Sequence, residues 1–386
     1  MEARIEIFPD VHKGFLGEET QVMNKGDGGW STFTFSEWVE NLIKSKDWDS
    51  WILYNDAPPA KKKAARGHAK GIVVWSKDSI GWLVHSVPGW PKSLDDLSLP
   101  EAGESSVKDM GQSFVWIKIP RLQVKLYTGT IKNVQRPEWE KGNYGIEFDG
   151  EKTALEAILE HVSLLIGRSD YAYENNFFLP EEEELFKKND LAASEDLHVI
   201  SLSSVSNPLL TKVYHIAKGM NWKPCPGIPI DTVIVKATKE CVQTVELPDF
   251  YRHGLLHGFG AMITNTCIPM TNAERRKNQK MIADDASDRD IAYYCDSDIT
   301  KVDSILFHER SSEAYNICPS ENDNGKWAIS ADREAFKWSF VGDLDRKLSQ
   351  GNLGGGGVLI VDEVLRDNIR AMVCTMQPQH PYHYDF

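Results

Sequence analysis

The chain has few cysteines and no long hydrophobic segment. No two cysteines are separated by only two residues, which argues against a zinc site built on Cys-x-x-Cys pairs. A chain of this length favours buried thiols over a disulfide scaffold. No run approaches the roughly 18 apolar residues that a membrane-spanning helix requires, so we expect no membrane partner. All six cysteines lie in the second half of the chain: Cys225, Cys241, Cys267, Cys295, Cys318 and Cys374.

Signals for secretion are also missing. Residues 1–14 carry charged side chains throughout and lack the apolar core of a signal peptide, and no Asn-x-Ser/Thr glycosylation sequon occurs. We therefore expect a cytoplasmic protein if the chain is complete, and a secreted or lysosomal protein if it has been trimmed.

Positive charge is in deficit, because 43 Lys and Arg stand against 57 Asp and Glu, for a net charge of −14. This balance excludes a general nucleic-acid coat but permits a nucleic-acid enzyme with a local basic cleft, since steering depends on the local field. Hydrophobic residues make up 41% and charged residues 26%, as in globular proteins. The 386 residues suffice for one large domain or for two.

Hydrophobic periodicity and capping signals predict a mixed α/β (α+β) protein. Helices are expected over 36–45, 153–166 and 207–218, the last because Asn207-Pro208 is typical of a helix start. The acidic run 181–184 predicts a solvated face or loop, and 252–292 a long inserted loop. Strands are expected over 51–54, 71–75, 81–87, 113–119, 197–202, 232–238, 304–308, 338–341 and 358–362. The glycines at 354–357 predict a tight turn before the last of these strands.

One short motif suggests phosphate chemistry. His68 and Lys70 are two residues apart between Gly67 and Gly71, so on an extended segment both side chains point to the same side. A histidine can attack or protonate a phosphate, and a lysine can neutralise its oxygens. Alone, His-x-Lys occurs readily by chance. Here it follows a local basic loop that would attract phosphates inside an acidic protein: Lys61, Lys62, Lys63 and Arg66.

The sequence around this motif resembles the deoxyribonuclease II family. That family has Leu-Leu-Tyr-Asn-Asp-x-Pro-Pro, Arg-Gly-His-x-Lys-Gly and Trp-Leu-Val-His-Ser-Val-Pro, and this chain has close matches at 53–59, 66–71 and 82–88. Near the C-terminus, 323–327 (Asp-Asn-Gly-Lys-Trp) is similar to its Asp-His-x-Lys-Trp, and 341–346 to its Val-Gly-Asp-x-Asn-Arg.

The resemblance implies a phospholipase D-like fold in which two similar halves, here 1–190 and 191–386, each supply one His-x-Lys to a shared site. It implies an endonuclease that cuts DNA without a metal or other cofactor, works best in acid and leaves 3′-phosphate ends. One histidine would form a phosphohistidine and the other would protonate the leaving oxygen. The acid preference is consistent with imidazole titration near ~6.5. DNA would be the partner, and the chain a monomer or homodimer.

Carried onto this chain, the family's catalytic positions are His68, Lys70, Asn324 and Lys326. Asn324 departs from the pattern, because it replaces the second histidine and an amide cannot exchange a proton near neutral pH. Asp345 also departs, since the family has asparagine there. The chain is therefore either a weakened or altered phosphodiesterase, on DNA or on another phosphodiester, or an inactive protein that still binds DNA.

Four further residues are expected to support the site. Ser86 and Asp343 would orient the imidazole and lysines, and Asp345 lies two residues after Asp343. His85 would be either a second proton carrier or a hydrogen-bonded support for His68. The whole interpretation requires Lys70 and Lys326 to lie on the same side of the molecule and to be open to solvent.

Restoring the missing imidazole is a direct test of the resemblance. A general acid typically contributes about 10²–10⁴ in rate. We therefore expect Asn324→His to raise DNA cleavage at mildly acidic pH in EDTA by an order of magnitude or more. An unchanged rate would favour the inactive, DNA-binding alternative.

Overall fold

The computed structural model describes the following residues: 4–10, 20–23, 30–33, 35–44, 47–56, 67–91, 93, 112–121, 125–131, 146–166, 172–187, 197–202, 212–219, 262–264, 299–308, 315–319, 325–332, 337–343 and 353–376. The helices in this part of the chain are α1 (Phe35–Lys44), α2 (Ala154–Ile166), α3 (Pro180–Lys187) and α4 (Glu363–Met372). The strands are β1 (Arg4–Asp10), β2 (Thr20–Met23), β3 (Trp30–Phe33), β4 (Ser50–Tyr54), β5 (Gly71–Trp75), β6 (Ser79–His85), β7 (Gln112–Pro120), β8 (Lys125–Ile131), β9 (Ile146–Thr153), β10 (Ala172–Asn176), β11 (Leu197–Ser201), β12 (Lys212–Lys218), β13 (Met262–Thr264), β14 (Ile299–His308), β15 (Tyr315–Pro319), β16 (Lys326–Ser330), β17 (Trp338–Gly342), β18 (Gly355–Val361) and β19 (Val373–Met376).

Most of the described strands form two sheets. The first has six strands in the order β1-β7-β6-β5-β4-β10. The second has eleven, in the order β15-β14-β13-β16-β17-β18-β12-β11-β8-β9 with β19 added beside β14, and β2 and β3 form a separate pair. Neighbouring described strands are antiparallel except β13 and β14. The predicted mixed α/β (α+β) class is confirmed, with few helices against two large sheets.

The main core lies between the two sheets and helix α2. Ile52 and Tyr54 of β4 point into this core, whereas Leu53 points to the opposite face of the first sheet, which α1 covers. This alternation is the period-two geometry of a strand. Across the core, Trp82 of β6 stacks on His215 of β12 with ring centroids 4.1 Å apart. The first sheet is thus buried on both faces, which explains its nearly continuous apolar strands.

Helix α2 forms where the sequence predicts it. The Thr153 hydroxyl accepts a hydrogen bond from the Glu156 N–H at 3.3 Å, which is the expected N-terminal cap. Nearly every side chain of the helix is buried, including His161 and Ser163, so α2 is a central helix rather than a surface one.

The predicted helix over 207–218 is wrong where the structure describes it, because residues 212–218 form strand β12. This strand pairs with β11 on one side and β18 on the other. Val213, Ile216 and Ala217 are buried, and a strand covered on both faces has no clear sequence period. Sheet pairing therefore outweighs the helix-start signal of Asn207-Pro208.

Two other local expectations need correction. The acidic run 181–184 lies in helix α3, where Glu181 and Glu184 are on the predicted solvated face but Glu182 is buried. Its carboxylate accepts hydrogen bonds from Arg121 at 2.7 Å and from the Ser50 hydroxyl at 3.2 Å. The proposed loop over 252–292 contains strand β13, and its remaining residues, like the predicted strand 232–238, lie outside the described residues.

The glycines at 354–357 do not form the predicted turn, because three of them lie within strand β18. Gly354 forms an isolated parallel bridge with Gly67. A Cβ atom at Gly354 would lie 2.5 Å from the Leu165 carbonyl oxygen of α2, and one at Gly67 would lie 2.3 Å from the same oxygen. Because Gly67 and Gly354 have no side chain, the segments that contain them can both pack against the end of α2.

Strands β8 and β9 belong to the second sheet although they precede residue 190, whereas β10 belongs to the first. Sheet membership therefore does not change at that residue. The division into domains 1–190 and 191–386 stays a prediction.

The close approach at Gly354 predicts the effect of a single methyl group. Gly354→Ala should destabilise the fold by about 1–3 kcal/mol, because overpacked sites must shift backbone atoms. Denaturant unfolding measures this change. Gly150→Ala is the matched control, since its Cβ would meet only the Thr128 hydroxyl at 3.8 Å. Equal stability of the two variants would contradict the proposed packing.

Candidate active site

The His68–Lys70 segment comes directly before β5 and lies beside the residues that follow β4. Tyr54 ends β4 and pairs with Gly71, the first residue of β5. The segment that leaves β4 at Asp56 and the segment that enters β5 at His68 and Lys70 therefore meet at the same end of two neighbouring strands. Pairing of β4 with β5 is what brings these two segments together.

The Asp56 carboxylate is the centre of this cluster. Its Oδ2 atom lies 3.3 Å from His68 Nδ1 and 3.1 Å from Lys70 Nζ. Its Oδ1 atom accepts a hydrogen bond from the Gly89 N–H at 3.0 Å. Burial tends to raise the pKa of Asp56, but Lys70, His68 and the Gly89 N–H outweigh it and hold this pKa below its usual value. Asp56 is therefore an ionised carboxylate that holds both members of the motif.

Gly89 reaches Asp56 from a turn with a positive backbone angle, φ = 65°. Glycine adopts this region without cost, and asparagine is the side-chain residue that tolerates it best. This backbone geometry favours glycine at position 89.

The second sheet fixes the same segment from the other side. The His68 N–H donates to the Gly354 carbonyl at 2.8 Å. The Lys70 N–H donates to the carboxylate of Asp343, which also accepts from the Gly356 N–H at 3.0 Å. The His-x-Lys backbone is thus held between the first sheet and strand β18 of the second.

Asp343 and Lys218 are both buried at this junction. Burial raises the pKa of Asp343 to about 7, although the neighbouring Lys70 opposes the change. Burial lowers the pKa of Lys218 to about 7, and here Asp343 opposes the change. Both groups can therefore change protonation near neutral pH.

Lys326 lies at the same junction. It is the first residue of β16 and pairs with Gly342, the residue directly before Asp343. The requirement that Lys70 and Lys326 lie on one side of the molecule agrees with this register.

The requirement that both lysines be open to solvent is wrong for this structure, so the expected site in which Lys70 and Lys326 grip a phosphate directly is not what the described residues form. Lys70 is 1% exposed and Lys326 is 6% exposed. The Lys70 ammonium instead turns onto Asp56 and onto the His68 carbonyl, at 2.8 Å from its oxygen. The His68 side chain, at 23%, is more exposed than either Asp56 or Lys70. His68 is therefore the part of the cluster that a substrate reaches first.

His85 does not match either interpretation given to it from the sequence. Its ring is fully buried against the rings of Trp90 and Phe114. Among the described residues, neither ring nitrogen has a hydrogen-bond partner. Burial, followed by the charge of Lys70, places the pKa of His85 well below its usual value. The ring is a neutral core histidine beside the site.

Ser86 is buried, and its hydroxyl accepts a hydrogen bond from the Ser113 N–H of β7 at 2.9 Å. This contact joins the end of β6 to β7 and so supports the strand that follows the motif. Several residues expected at the site lie outside the described residues: Lys61, Lys62, Lys63, Arg66, Asn324 and Asp345.

Two residues of the cluster were missed by reasoning from the sequence. Asp56 stands within the quoted Tyr-Asn-Asp motif, and its position directly after a buried strand is a signal that could have identified it. Lys218 was placed at the end of a helix, and only the correct assignment of β12 brings it to the junction.

Neither a metal-binding cluster nor a membrane-spanning helix is present in the ranges that the structure describes. No group of three or more His, Cys, Asp or Glu side chains there can hold a metal ion. No helix there is long and apolar enough to cross a membrane.

The fold and the cluster define a two-sheet α+β protein with a carboxylate, an imidazole and ammonium groups gathered where the sheets meet. The profile of the family Deoxyribonuclease II matches residues 20–166 and 277–379, which is more than half of the chain. The chain belongs to the deoxyribonuclease II family.

Individual relatives match over shorter segments. The chain is 26% identical to "Deoxyribonuclease-2-alpha" of Sus scrofa over 120 residues, which is 28% of this chain and 32% of the relative. It is 31% identical to "Deoxyribonuclease-2-alpha" of Bos taurus over 78 residues, 19% of this chain and 21% of the relative. It is 38% identical to "Cell-death-related nuclease 7" of Caenorhabditis elegans over 65 residues, 17% of this chain and 16% of the relative. The matched segments thus span a third or less of each of these relatives.

The charge of Asp56 predicts a pH-dependent contribution to stability. Its folded-state pKa lies below the ordinary value of 3.8, so the contribution is present above that pH and is lost as the pH falls through the folded-state value. Asp56→Asn should lower the free energy of unfolding by about 1–3 kcal/mol at neutral pH, and the difference from wild type should narrow in acid.

Urea unfolding at pH values of about 6 and 3 measures this difference, because both values bracket the ordinary range of an Asp carboxyl. Asp47→Asn, at an exposed position, is the matched control and should show no such trend. A difference that stays constant between the two pH values would mean that Asp56 is not held as a paired carboxylate.

Proposed function

We propose that this protein is an endodeoxyribonuclease that hydrolyses DNA phosphodiesters to 3′-phosphate ends, without a metal ion and with a preference for acid. The observation that carries the proposal is the His68–Asp56–Lys70 cluster in a chain of the deoxyribonuclease II family. Of these three side chains His68 is the most exposed, and its Nδ1 atom faces a carboxylate. Such pairing orients an imidazole so that its other nitrogen acts on the substrate.

The reaction proposed for His68 proceeds in two steps. Nε2 attacks phosphorus in line, a P–N bond forms, and the bond to the 5′-oxygen breaks. Water then attacks the phosphohistidine and releases a 3′-phosphate end. Because Asn324 stands at the second histidine position, the departing 5′-oxygen takes its proton from water, and a slow rate is expected. If a different group is the nucleophile, His68 is the acid in the same geometry.

The burial of Lys70 changes the role proposed for it. In this structure its ammonium contacts Asp56 and the His68 carbonyl, so it holds the imidazole segment in place from behind. Its positive charge remains beside the position where a phosphate would contact His68. In a site shielded from water, this charge stabilises developing negative charge on the phosphoryl oxygens without direct contact. Lys326 would act on the same group from the second sheet.

The alternative function is that of a catalytically inactive DNA-binding protein on the same scaffold. It is favoured by Asn324 in the sequence and by the low exposure of Lys70 and Lys326. The two functions differ in whether His68 is needed for cleavage or only for the shape of the site.

Plasmid nicking in EDTA at mildly acidic pH separates the two functions. Under the proposal the wild-type protein nicks, and His68→Ala slows nicking by at least about 10²-fold, because it removes the reacting group. His308→Ala, at the end of β14, is the matched control and should keep the wild-type rate.

Two results would contradict the proposal. Nicking that survives His68→Ala would remove His68 from the mechanism. Absence of nicking in both the wild type and Asn324→His, together with retained DNA binding, would establish the inactive alternative.

A further inference from the structure

Lys218 is a buried lysine at the junction of the two sheets to which the nuclease mechanism assigns no part. It is the last residue of β12 and is only 3% exposed. Its Nζ atom donates to the Leu353 carbonyl at 2.6 Å. It lies between the two segments that the family profile matches, so the family match assigns it no role. Burying an ammonium group is costly, and a residue kept in this state calls for an explanation.

The first connection to the site runs through the backbone. Leu353, the acceptor of the Lys218 ammonium, directly precedes Gly354. The Gly354 carbonyl accepts the His68 N–H at 2.8 Å, and Gly354 forms the bridge with Gly67. Lys218 therefore holds the start of β18 at the point where β18 holds His68.

The second connection is electrostatic. Asp343 is the charged partner that acts on Lys218, and its carboxylate binds the Lys70 N–H. Among the described residues, the other titratable groups that act on Asp343 or that it acts on are Lys70, Asp56 and Tyr54. Without Lys218, the junction would lose a positive charge that interacts with the buried Asp343.

We propose that Lys218 is a positioning residue for the proposed nuclease. From strand β12 it fixes Leu353 and the adjacent Gly354 and places a positive charge near Asp343. In this way it holds the segment of His68 and Lys70 in place. This inference rests on the proposed function, because it assigns Lys218 to the same site. Lys218 acts through other residues and does not need to contact DNA.

The arrangement also contributes to an acid preference. Burial lowers the pKa of Lys218 to about 7 and raises that of Asp343 to about 7. As the pH falls below this value, Lys218 gains its charge and Asp343 loses its charge, so the junction becomes more positive and attracts phosphate more strongly. A charged donor also binds the Leu353 carbonyl more strongly than a neutral amine does. As the pH rises, both effects are lost.

Hydrogen exchange at the His68 amide tests this positioning role without relying on activity. In Lys218→Met the His68 N–H should exchange at least about ten-fold faster than in wild type, since its acceptor strand is released. Lys218→Arg, which keeps a positive charge, should restore most of the protection. Lys125→Met, at an exposed lysine of β8, is the matched control. The Asp49 amide, which donates to the Trp75 carbonyl at 2.9 Å, is an internal reference that should not change.

The wild-type protein provides a second measurement should Lys218→Met fail to fold. Protection of the His68 amide, corrected for intrinsic exchange, should fall as the pH rises through about 7, the value to which burial brings Lys218. The decline of nicking in the same pH range should be shallower in Lys218→Arg, whose charge does not titrate there.

Equal protection of His68 in Lys218→Met and Lys125→Met would overturn the inference, as would wild-type protection that does not depend on pH. These exchange results are obtained whether or not the protein cuts DNA. Failure of wild-type nicking with His68 protected as expected would overturn the proposed function alone, and would leave Lys218 as the residue that positions His68.

Discussion

The site depends on the contact between one short segment, Gly67–Lys70, and the start of strand β18. The His68 N–H donates to the Gly354 carbonyl within the Gly67–Gly354 bridge, and the Lys70 N–H donates to the Asp343 side chain, which in turn binds the Gly356 N–H of β18. Neither sheet alone holds the segment in this position. The first sheet contributes Asp56, and the second contributes the acceptors, so the imidazole is oriented only where the two sheets meet. Glycines at 67 and 354 are required there because the Leu165 carbonyl leaves no space for a Cβ atom.

The charged groups at the junction are balanced by one another and are little screened by solvent. Asp56 and Asp343 face Lys70 and Lys218, and most of these groups have little contact with water. Electrostatic interactions are stronger in such an environment than at a surface, and each charge depends on its neighbours for stability. The pKa values of the two carboxyl groups shift in opposite directions. Neighbouring cations lower the pKa of Asp56, whereas burial raises that of Asp343. The site can therefore gain positive charge in mild acid without losing the carboxylate that orients His68.

The sequence was sufficient for much of this picture, since the chemistry lies in short contiguous motifs. The His68-x-Lys70 pair, the strands on either side of it and helix α2 were all predictable from spacing and capping. Strand β12 was not, because a strand buried on both faces lacks a period and follows a strong helix-start signal. The burial of Lys70 and Lys326 also could not be predicted from the sequence, because it depends on how the two sheets pack and not on a local pattern. The same limit hid Lys218, whose importance is visible only when residues distant in sequence are adjacent in space.

The most direct test of this account is a crystal structure of the protein with a short DNA duplex that carries non-hydrolysable phosphodiester analogues. The account predicts that one phosphorus lies about 3–3.5 Å from the imidazole of His68, in line for attack, with Asp56 still on Nδ1. DNA bound elsewhere on the surface, with His68 making no contact to a phosphate group, would contradict it.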